Sequence, residues 1–161
     1  MASYGEGPDE LFQLRNSFWV GSFQAAIDEA RSRRPSTDGL RVEQECYLYR
    51  AMIAKGDLKT VLSEVNESSA SVGLSAVRLL AQYLSDPEGS RERVVATMKG
   101  WEEDANTRVN PILNLVCSQI NLAMGKTEKA LELVTATESL GVEHAAMRVQ
   151  ILLALNRPRL A

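Results

Sequence analysis

The chain has 161 residues, of which 45% are hydrophobic and 24% charged, with a formal net charge of −3. This composition is ordinary for a water-soluble globular protein, and it excludes a broad basic surface for nucleic acid or acidic lipid. The two cysteines, Cys46 and Cys117, lie in apolar helix patterns rather than in a disulfide framework. They therefore predict buried, reduced thiols in a cytosolic protein.

The first predicted element is a helix that follows a short N-terminal segment. Residues 1–8 are small, polar and contain glycine and proline, so we expect them to be disordered. Asp9 can cap a helix, and apolar residues then recur at helical spacing, with Leu11 and Leu14 on one face. This pattern predicts a helix from Asp9 to about Val20.

A glycine that recurs along the chain organises the remaining elements. Gly21 opens a stretch that has looser copies at Gly56, 35 positions later, and at Gly125, a further 69 positions along. The second interval is about twice the ~34-residue period of tetratricopeptide repeats. At the bend between two antiparallel helices, glycine supplies a residue that can take a positive φ. Ser22 is expected to cap the second helix, and Pro35 to end it.

Later helices follow the same pattern of helix, bend and return helix. Ser36–Gly39 is a predicted linker, Asp86–Gly89 is a longer turn without the glycine pattern, and Asn110-Pro111 combines a cap with a first-turn proline. The remaining predicted helices are Leu40 to Lys55, Asp57 to Val65, Ala70 to Ser85, Arg91 to Trp101, Ile112 to Met124, Thr127 to Glu138 and Val142 to Leu155.

These elements predict an all-α fold, a right-handed superhelix of tetratricopeptide-like helical hairpins, or α-solenoid. It would occupy residues 9–161, with about four hairpins and the first helix of a fifth. Solenoids ordinarily end in a polar capping element. Here the last helix is expected to leave four apolar residues partly uncovered, which would indicate a truncated chain, a natural short form or an end covered by another protein. These residues are Ile151, Leu152, Leu153 and Leu155.

No set of residues with the spacing of a catalytic, cofactor or metal site stands out. His144 is the only histidine, so neither a histidine pair nor a nucleophile–histidine arrangement is available. Gly125-Lys126-Thr127 resembles the end of a phosphate-binding loop, but Ile120 stands where that loop needs its first glycine. We therefore expect a protein that is not an enzyme, with no cofactor, no metal and no small-molecule substrate.

Stacks of helical hairpins bind other proteins along an inner groove. When the bend glycines set the register, the groove is mostly apolar, and it lacks the Lys and Asn clamp of domains that hold chaperone C-termini. It suits a stable, extended or hairpin-like segment of another subunit. The predicted groove residues are Leu11, Arg15, Phe18, Cys46, Arg50, Ile53, Ile112, Leu115, Gln119 and Leu122. Pro8 and Glu43 occupy the first groove position of the first and second repeats.

Aromatic residues crowd the first two hairpins. Repeat core is the expected role of each ring, but there are more rings than the first hairpin should bury. One or two of them are therefore expected to face a partner. The rings are Phe12, Phe18, Trp19, Phe23, Tyr47 and Tyr49.

Several strings along the chain resemble the epsilon subunits of coatomer, and the similarity runs from about Asp9 to Leu155. The strings are Asp9-Glu10-Leu11-Phe12, Arg15-Asn16-Ser17-Phe18, Gly21-Ser22-Phe23-Gln24, Ile27-Asp28-Glu29-Ala30, Tyr47-Leu48-Tyr49-Arg50-Ala51, Ala76-Val77-Arg78 with Tyr83-Leu84, and Ala146-Met147-Arg148-Val149-Gln150-Ile151-Leu152-Leu153-Ala154-Leu155. Members of that family are considerably longer than this chain.

The resemblance implies an irregular tetratricopeptide solenoid that clasps the C-terminal region of the alpha coatomer subunit. It implies a structural role in the COPI coat, in Golgi-to-ER retrograde and intra-Golgi transport, with other coatomer subunits as indirect partners. The implied location is the cytoplasm, at the Golgi membrane and COPI-coated vesicles, with peripheral membrane association through the coat. The alternative interpretation is a generic tetratricopeptide-type peptide-binding adaptor or co-chaperone.

Overall fold

A computed structural model of the chain describes residues 8–67, 70–136 and 141–160. Within those ranges the chain is helical and contains no strand, so the predicted all-α class is confirmed. All but Pro8 of the predicted disordered segment lies outside the described residues, as does the predicted helix end at Glu138. The α-helices are α1 Phe12–Trp19, α2 Phe23–Ser32, α3 Asp38–Ala54, α4 Leu58–Glu64, α5 Val72–Ser85, α6 Arg91–Glu103, α7 Pro111–Ala123, α8 Thr127–Thr135 and α9 Val142–Ala154, followed by a 3-10 helix, Pro158–Leu160.

The chain forms two compact units, residues 1–60 and 61–161, and the division falls inside α4. In the first unit, α1, α2 and α3 pack against one another. In the second unit, α5 packs against α6 and α7, while α7, α8 and α9 pack together. The arrangement of neighbouring antiparallel helices within each unit is consistent with stacked hairpins. One continuous right-handed superhelix over residues 9–161 stays a prediction.

The three bend glycines have the backbone conformation that the sequence predicts. Their φ angles are +80° at Gly21, +84° at Gly56 and +77° at Gly125. Each glycine amide donates to the carbonyl three residues back, at 2.9–3.0 Å, and the next amide donates to the carbonyl five residues back, at 2.8–3.0 Å. This pair of bonds is the Schellman motif, which satisfies the last free carbonyls of a helix. Gly125-Lys126-Thr127 is therefore a repeat turn.

The same turn occurs once more, at a residue that is not glycine and that was not predicted as a bend. Asn156 has φ +56°, its amide donates to the Leu153 carbonyl at 2.9 Å, and the Arg157 amide donates to the Leu152 carbonyl at 2.8 Å. Asparagine is the residue that most often replaces glycine in this conformation, because its short polar side chain tolerates a positive φ. Helix α9 therefore ends in a repeat-type bend.

The start of the first hairpin differs from the prediction. Helix α1 begins at Phe12 instead of Asp9, because the Asp9 carboxylate bonds the Leu11 amide at 3.1 Å and thereby closes a turn that precedes the helix. Ser22 occupies the N-cap position of α2, but its side chain makes no capping bond. The predicted capping roles of these two side chains were therefore wrong, although both helices form.

The linker between the first two hairpins is shorter than predicted. Helix α3 begins at Asp38 because the Thr37 hydroxyl accepts a bond from the Leu40 amide at 3.3 Å. A carboxylate in the first turn also interacts favourably with the positive end of the helix dipole. Asn110 acts as predicted, since its side chain accepts from the Leu113 amide at 3.1 Å.

The core of the second unit is built where α7, α8 and α9 meet. It is strongly apolar, and its polar members are paired. The Ser118 hydroxyl donates to the Ala130 carbonyl at 2.6 Å and thereby joins α7 to α8. His144 is buried, and its Nε2 lies 3.0 Å from the Pro111 carbonyl oxygen. One central cluster comprises Leu115, Ala130, Val134, Met147 and Ile151.

The apolar residues near the end of the chain are covered to different degrees. Ile151 and Leu152 were expected to be partly uncovered but are 0% and 5% exposed, and Ile151 belongs to the central cluster of α7, α8 and α9. Leu155 packs partly against the same cluster. Leu153 is 56% exposed, as that expectation requires.

Candidate protein-binding surface

In the first unit, the register residues of α1 and α3 meet in an aromatic cluster with a cation. The guanidinium carbon of Arg50 lies 4.7 Å from the ring centroid of Phe18 and 5.5 Å from that of Tyr47. The Phe18 ring meets Tyr47 edge-on at 5.2 Å and Phe23 edge-on at 5.7 Å. Arg50 is 8% exposed, so its stacking on the rings is largely shielded from water. Cation–π and edge contacts are strongest in such settings.

Arg15 forms a second charged cluster, which joins α1 to α3 through ion pairs. Its guanidinium pairs with Asp9 at 2.7 Å and with Glu43 at 2.8 Å, which links the N-terminal turn, α1 and α3. Burial lowers the pKa of Arg15, but the bonds and charges of Glu43 and Asp9 outweigh it and leave the pKa raised. The cation is therefore permanent, and both acidic partners hold it in one orientation.

The predicted groove residues of the first unit divide by burial. Leu11 and Cys46 are each 1% exposed and belong to the core. Burial raises the pKa of the Cys46 thiol to about 12, with smaller contributions from Glu45 and Glu43 and an opposing one from Arg50. Arg15, Phe18 and Ile53 remain half-buried, so they offer surface to a partner.

The predicted groove residues of the second unit divide in the same way. Leu115 is 3% exposed and lies in the core cluster, and Leu122 packs partly against that cluster. Ile112 and Gln119 are half-buried on α7. Leu122 keeps part of its surface in water as well. Leu115 and Leu122 therefore belong to the same packed cluster. Ile112, Gln119 and Leu122 each keep part of their side chain accessible to solvent.

Two of the six rings discussed above are strongly exposed. Phe12 is 60% and Trp19 is 44% exposed, and adjacent Val20 is 76% exposed. Phe12 and Trp19 lie seven positions apart on α1, so they share a face of that helix. Large exposed rings are enriched in protein interfaces. The surface of α1 therefore carries apolar area beyond the register residues.

No three or more His, Cys, Asp and Glu side chains within ranges 8–67, 70–136 and 141–160 are grouped so that they could hold a metal ion. No helix in those ranges is both long and apolar enough to cross a membrane.

Comparison with known proteins gives a consistent result. The family model described as the coatomer epsilon subunit matches residues 7–161. The chain is 34% identical to coatomer subunit epsilon-2 of Arabidopsis thaliana, over 100% of this chain and 53% of that protein. It is 30% identical to coatomer subunit epsilon of Dictyostelium discoideum, over 95% of this chain and 52% of that protein. The chain thus spans about half the length of the curated relatives it matches.

Proposed function

Because the chain belongs to the coatomer epsilon subunit family, we propose that it is a structural subunit of the COPI vesicle coat. In this role it binds and stabilises the C-terminal region of the alpha coatomer subunit, in Golgi-to-ER retrograde and intra-Golgi transport. The observation that carries the proposal is the family match over residues 7–161, nearly the whole chain. Coatomer epsilon subunits are coat components rather than a family of enzymes.

The half-buried register residues support a protein partner. In the first unit, Arg15, Phe18 and Ile53 combine apolar surface with a cation held by two carboxylates. A pre-oriented side chain loses little conformational entropy on binding, and this favours affinity. Phe18 is braced by Arg50, which therefore acts on the partner through the ring rather than by direct contact. The surface suits an apolar segment with an occasional acidic residue.

The second unit offers a smaller surface of the same character. Ile112, Gln119 and Leu122 present two apolar side chains and one amide along α7. An amide can donate to and accept from the backbone of an extended chain. We expect the alpha coatomer segment to contact this face. Leu11, Cys46 and Leu115 support both faces from the core.

The proposal extends to location and assembly. Other coatomer subunits would be reached through the alpha subunit, and the chain would associate peripherally with the cytosolic face of Golgi membranes and COPI-coated vesicles. Neither nucleic acid nor a small-molecule substrate has a place in this role.

Co-expression with the C-terminal region of the alpha coatomer subunit tests the proposal. We expect a complex of 1:1 stoichiometry that survives size-exclusion chromatography, with the mass measured by light scattering. A full-length family relative co-expressed with the same region serves as the positive control. If neither the chain nor the relative co-purifies with the alpha region, the proposal fails. Micromolar binding of acidic C-terminal peptides at the inner groove would instead favour the co-chaperone alternative.

Three variants then locate the contact. Ile112→Glu and Gln119→Lys are each expected to weaken binding more than tenfold, because they place a charge in a desolvated interface. Val142→Glu is the matched control, since Val142 is an exposed apolar residue outside the predicted groove residues. Circular dichroism establishes that each variant is folded. Equal binding by all three would remove α7 from the proposed interface.

A further inference from the structure

A polar groove lies between α5 and α6 of the second unit, apart from the predicted register residues. Two adjoining cavities, of about 240 Å³ and about 430 Å³, share Arg78, Gln82 and Arg93 in their walls and so form one continuous groove. The smaller cavity extends along Trp101, and the larger one extends to Ser90. The groove is therefore elongated, with two arginines and an amide at its centre.

The two arginines are not neutralised by direct ion pairs. Neither Arg78 nor Arg93 forms an ion pair with any other residue that the structure describes. Two like charges that face one space repel each other, and an anion placed between them removes that repulsion. Arg78 is also held in place, because its Nη1 donates to the Leu62 and Val65 carbonyls near the end of α4.

Two unpaired polar atoms belong to the same wall. The Nε of Arg78 and the hydroxyl of Ser90 are buried and have no hydrogen-bond partner among the described residues. Ser90 is the N-cap residue of α6, yet its side chain makes no capping bond. Buried polar groups in native proteins are rarely left unpaired. Both atoms are shielded from solvent, so they add polarity to the wall, and an incoming anion would meet the guanidinium groups of Arg78 and Arg93 that line the cavities.

We propose that this groove binds a carboxylate carried by an extended peptide segment of another protein. A guanidinium matches the planar geometry of a carboxylate, and the Gln82 amide can pair with the backbone of the same segment. Glu67 and Asp86 lie at opposite ends of the groove, so they repel a polyanion but admit a single central charge. The half-buried Trp101 ring provides a contact for a neighbouring apolar side chain.

NMR titration of the ¹⁵N-labelled full chain tests the groove with a defined probe, acetyl-Ala-Glu-Ala-amide. We expect millimolar binding, with chemical-shift changes concentrated at the side chains of Arg78, Gln82, Arg93 and Trp101. The matched probe acetyl-Ala-Gln-Ala-amide should cause at least tenfold smaller changes. Equal changes with the two peptides, or changes spread over the surface, would overturn the proposal.

Variants on one helix separate the groove from general electrostatics. Arg93→Gln should weaken binding of the acidic peptide about tenfold, whereas Arg91→Gln, the same charge change at a neighbour on α6 that does not line the groove, should not alter it. Inorganic phosphate, titrated at equal ionic strength, is the third probe after the two peptides. Tighter binding of phosphate than of the peptide would overturn the peptide assignment. The alpha coatomer complex should be unaffected by Arg93→Gln, so this proposal and the coat function can fail independently.

Discussion

The guanidinium carbon of Arg50 lies 4.7 Å from the ring centroid of Phe18, so a buried cation on α3 is stacked on an aromatic ring of α1. This contact joins the first helices of two successive hairpins. Tyr47, which lies one turn before Arg50 on α3, contacts the same Phe18 ring edge-on. In the first unit, α1 and α3 are therefore held together by an aromatic and charged cluster as well as by aliphatic packing.

A double-mutant cycle measures this contact. Arg50→Met retains the length of the side chain but removes the charge, and Phe18→Leu removes the ring. We expect a coupling free energy of about 0.5–2 kcal/mol, the range of partly desolvated cation–π pairs. Urea unfolding of the four proteins provides the values. Arg31→Met, on the exposed surface of α2, is the control and should show no coupling to Phe18→Leu. Absence of coupling for Arg50 would mean that the stacking adds nothing beyond packing.

Two glycine-to-alanine substitutions should have opposite effects. Neither Gly21 nor Gly100 has an atom within 4 Å of the position that a Cβ would take, so steric clash plays no part. Gly21 has φ +80°, and alanine there should destabilise the fold by about 1 kcal/mol. Gly100 lies within α6, where alanine should stabilise by about 0.5–1 kcal/mol. In thermal unfolding, an unchanged or raised Tm for Gly21→Ala would contradict the turn assignment, and a lowered Tm for Gly100→Ala would contradict the expected gain in helix propensity.

Asn156 allows the bend after α9 to be tested in the same way. Because its φ is +56°, Asn156→Gly should leave stability unchanged or raise it by a few tenths of a kcal/mol. Asn156→Ala should lower stability by about 1 kcal/mol. Chemical denaturation measures both differences. An Asn156→Ala variant as stable as the parent chain would show that the bend does not depend on a positive φ.

The two cysteines should be unreactive in the native protein. Burial raises the pKa of Cys46 and of Cys117 to about 12. At pH 8 only about one thiol in ten thousand is then the reactive thiolate. Ellman's reagent should modify both residues within minutes in 6 M guanidinium chloride (about the usual unfolding concentration) but neither in buffer. Rapid labelling in buffer would show that a cysteine is accessible.

The same shifts predict how stability depends on pH. The folded chain binds the thiol protons more tightly than the unfolded chain, whose thiol pKa is near 9.0. The contribution of these thiols is therefore fully present below about pH 9 and lost as pH rises toward 12. At pH 10 the raised pKa of each thiol should lower the free energy of unfolding by about 1 kcal/mol relative to its value below pH 9. Cys117→Ala should lose less stability than the parent chain between pH 8 and pH 10, and equal losses would contradict the assignment.

Local features of the chain could be predicted because they depend on neighbours in sequence. The φ angles of Gly21, Gly56 and Gly125 follow from the need to close a helix within a few residues. The cap by Asn110 follows from the same local requirement. Asn156 was missed because glycine alone was used as the marker of the bend, although asparagine is the known substitute.

Burial could not be predicted with the same success, because it depends on helices that are distant in sequence. Leu11, Cys46 and Leu115 occupy register positions of the groove, yet neighbouring helices cover them. The groove between α5 and α6 also has no local signature. Arg78 and Gln82 are four positions apart on α5, but Arg93 reaches the same space only because α6 packs beside α5.

By itself, the sequence determined the helices, the positions of their bends and the family, because capping, periodicity and characteristic strings are carried by short segments. Only the tertiary structure decided which register residues keep a free surface and which belong to the core. It also decided that Arg50 lies over the rings of Phe18 and Tyr47 and that two arginines share one polar groove. The physical reason is that desolvation and ion pairing are set by the atoms that packing brings together.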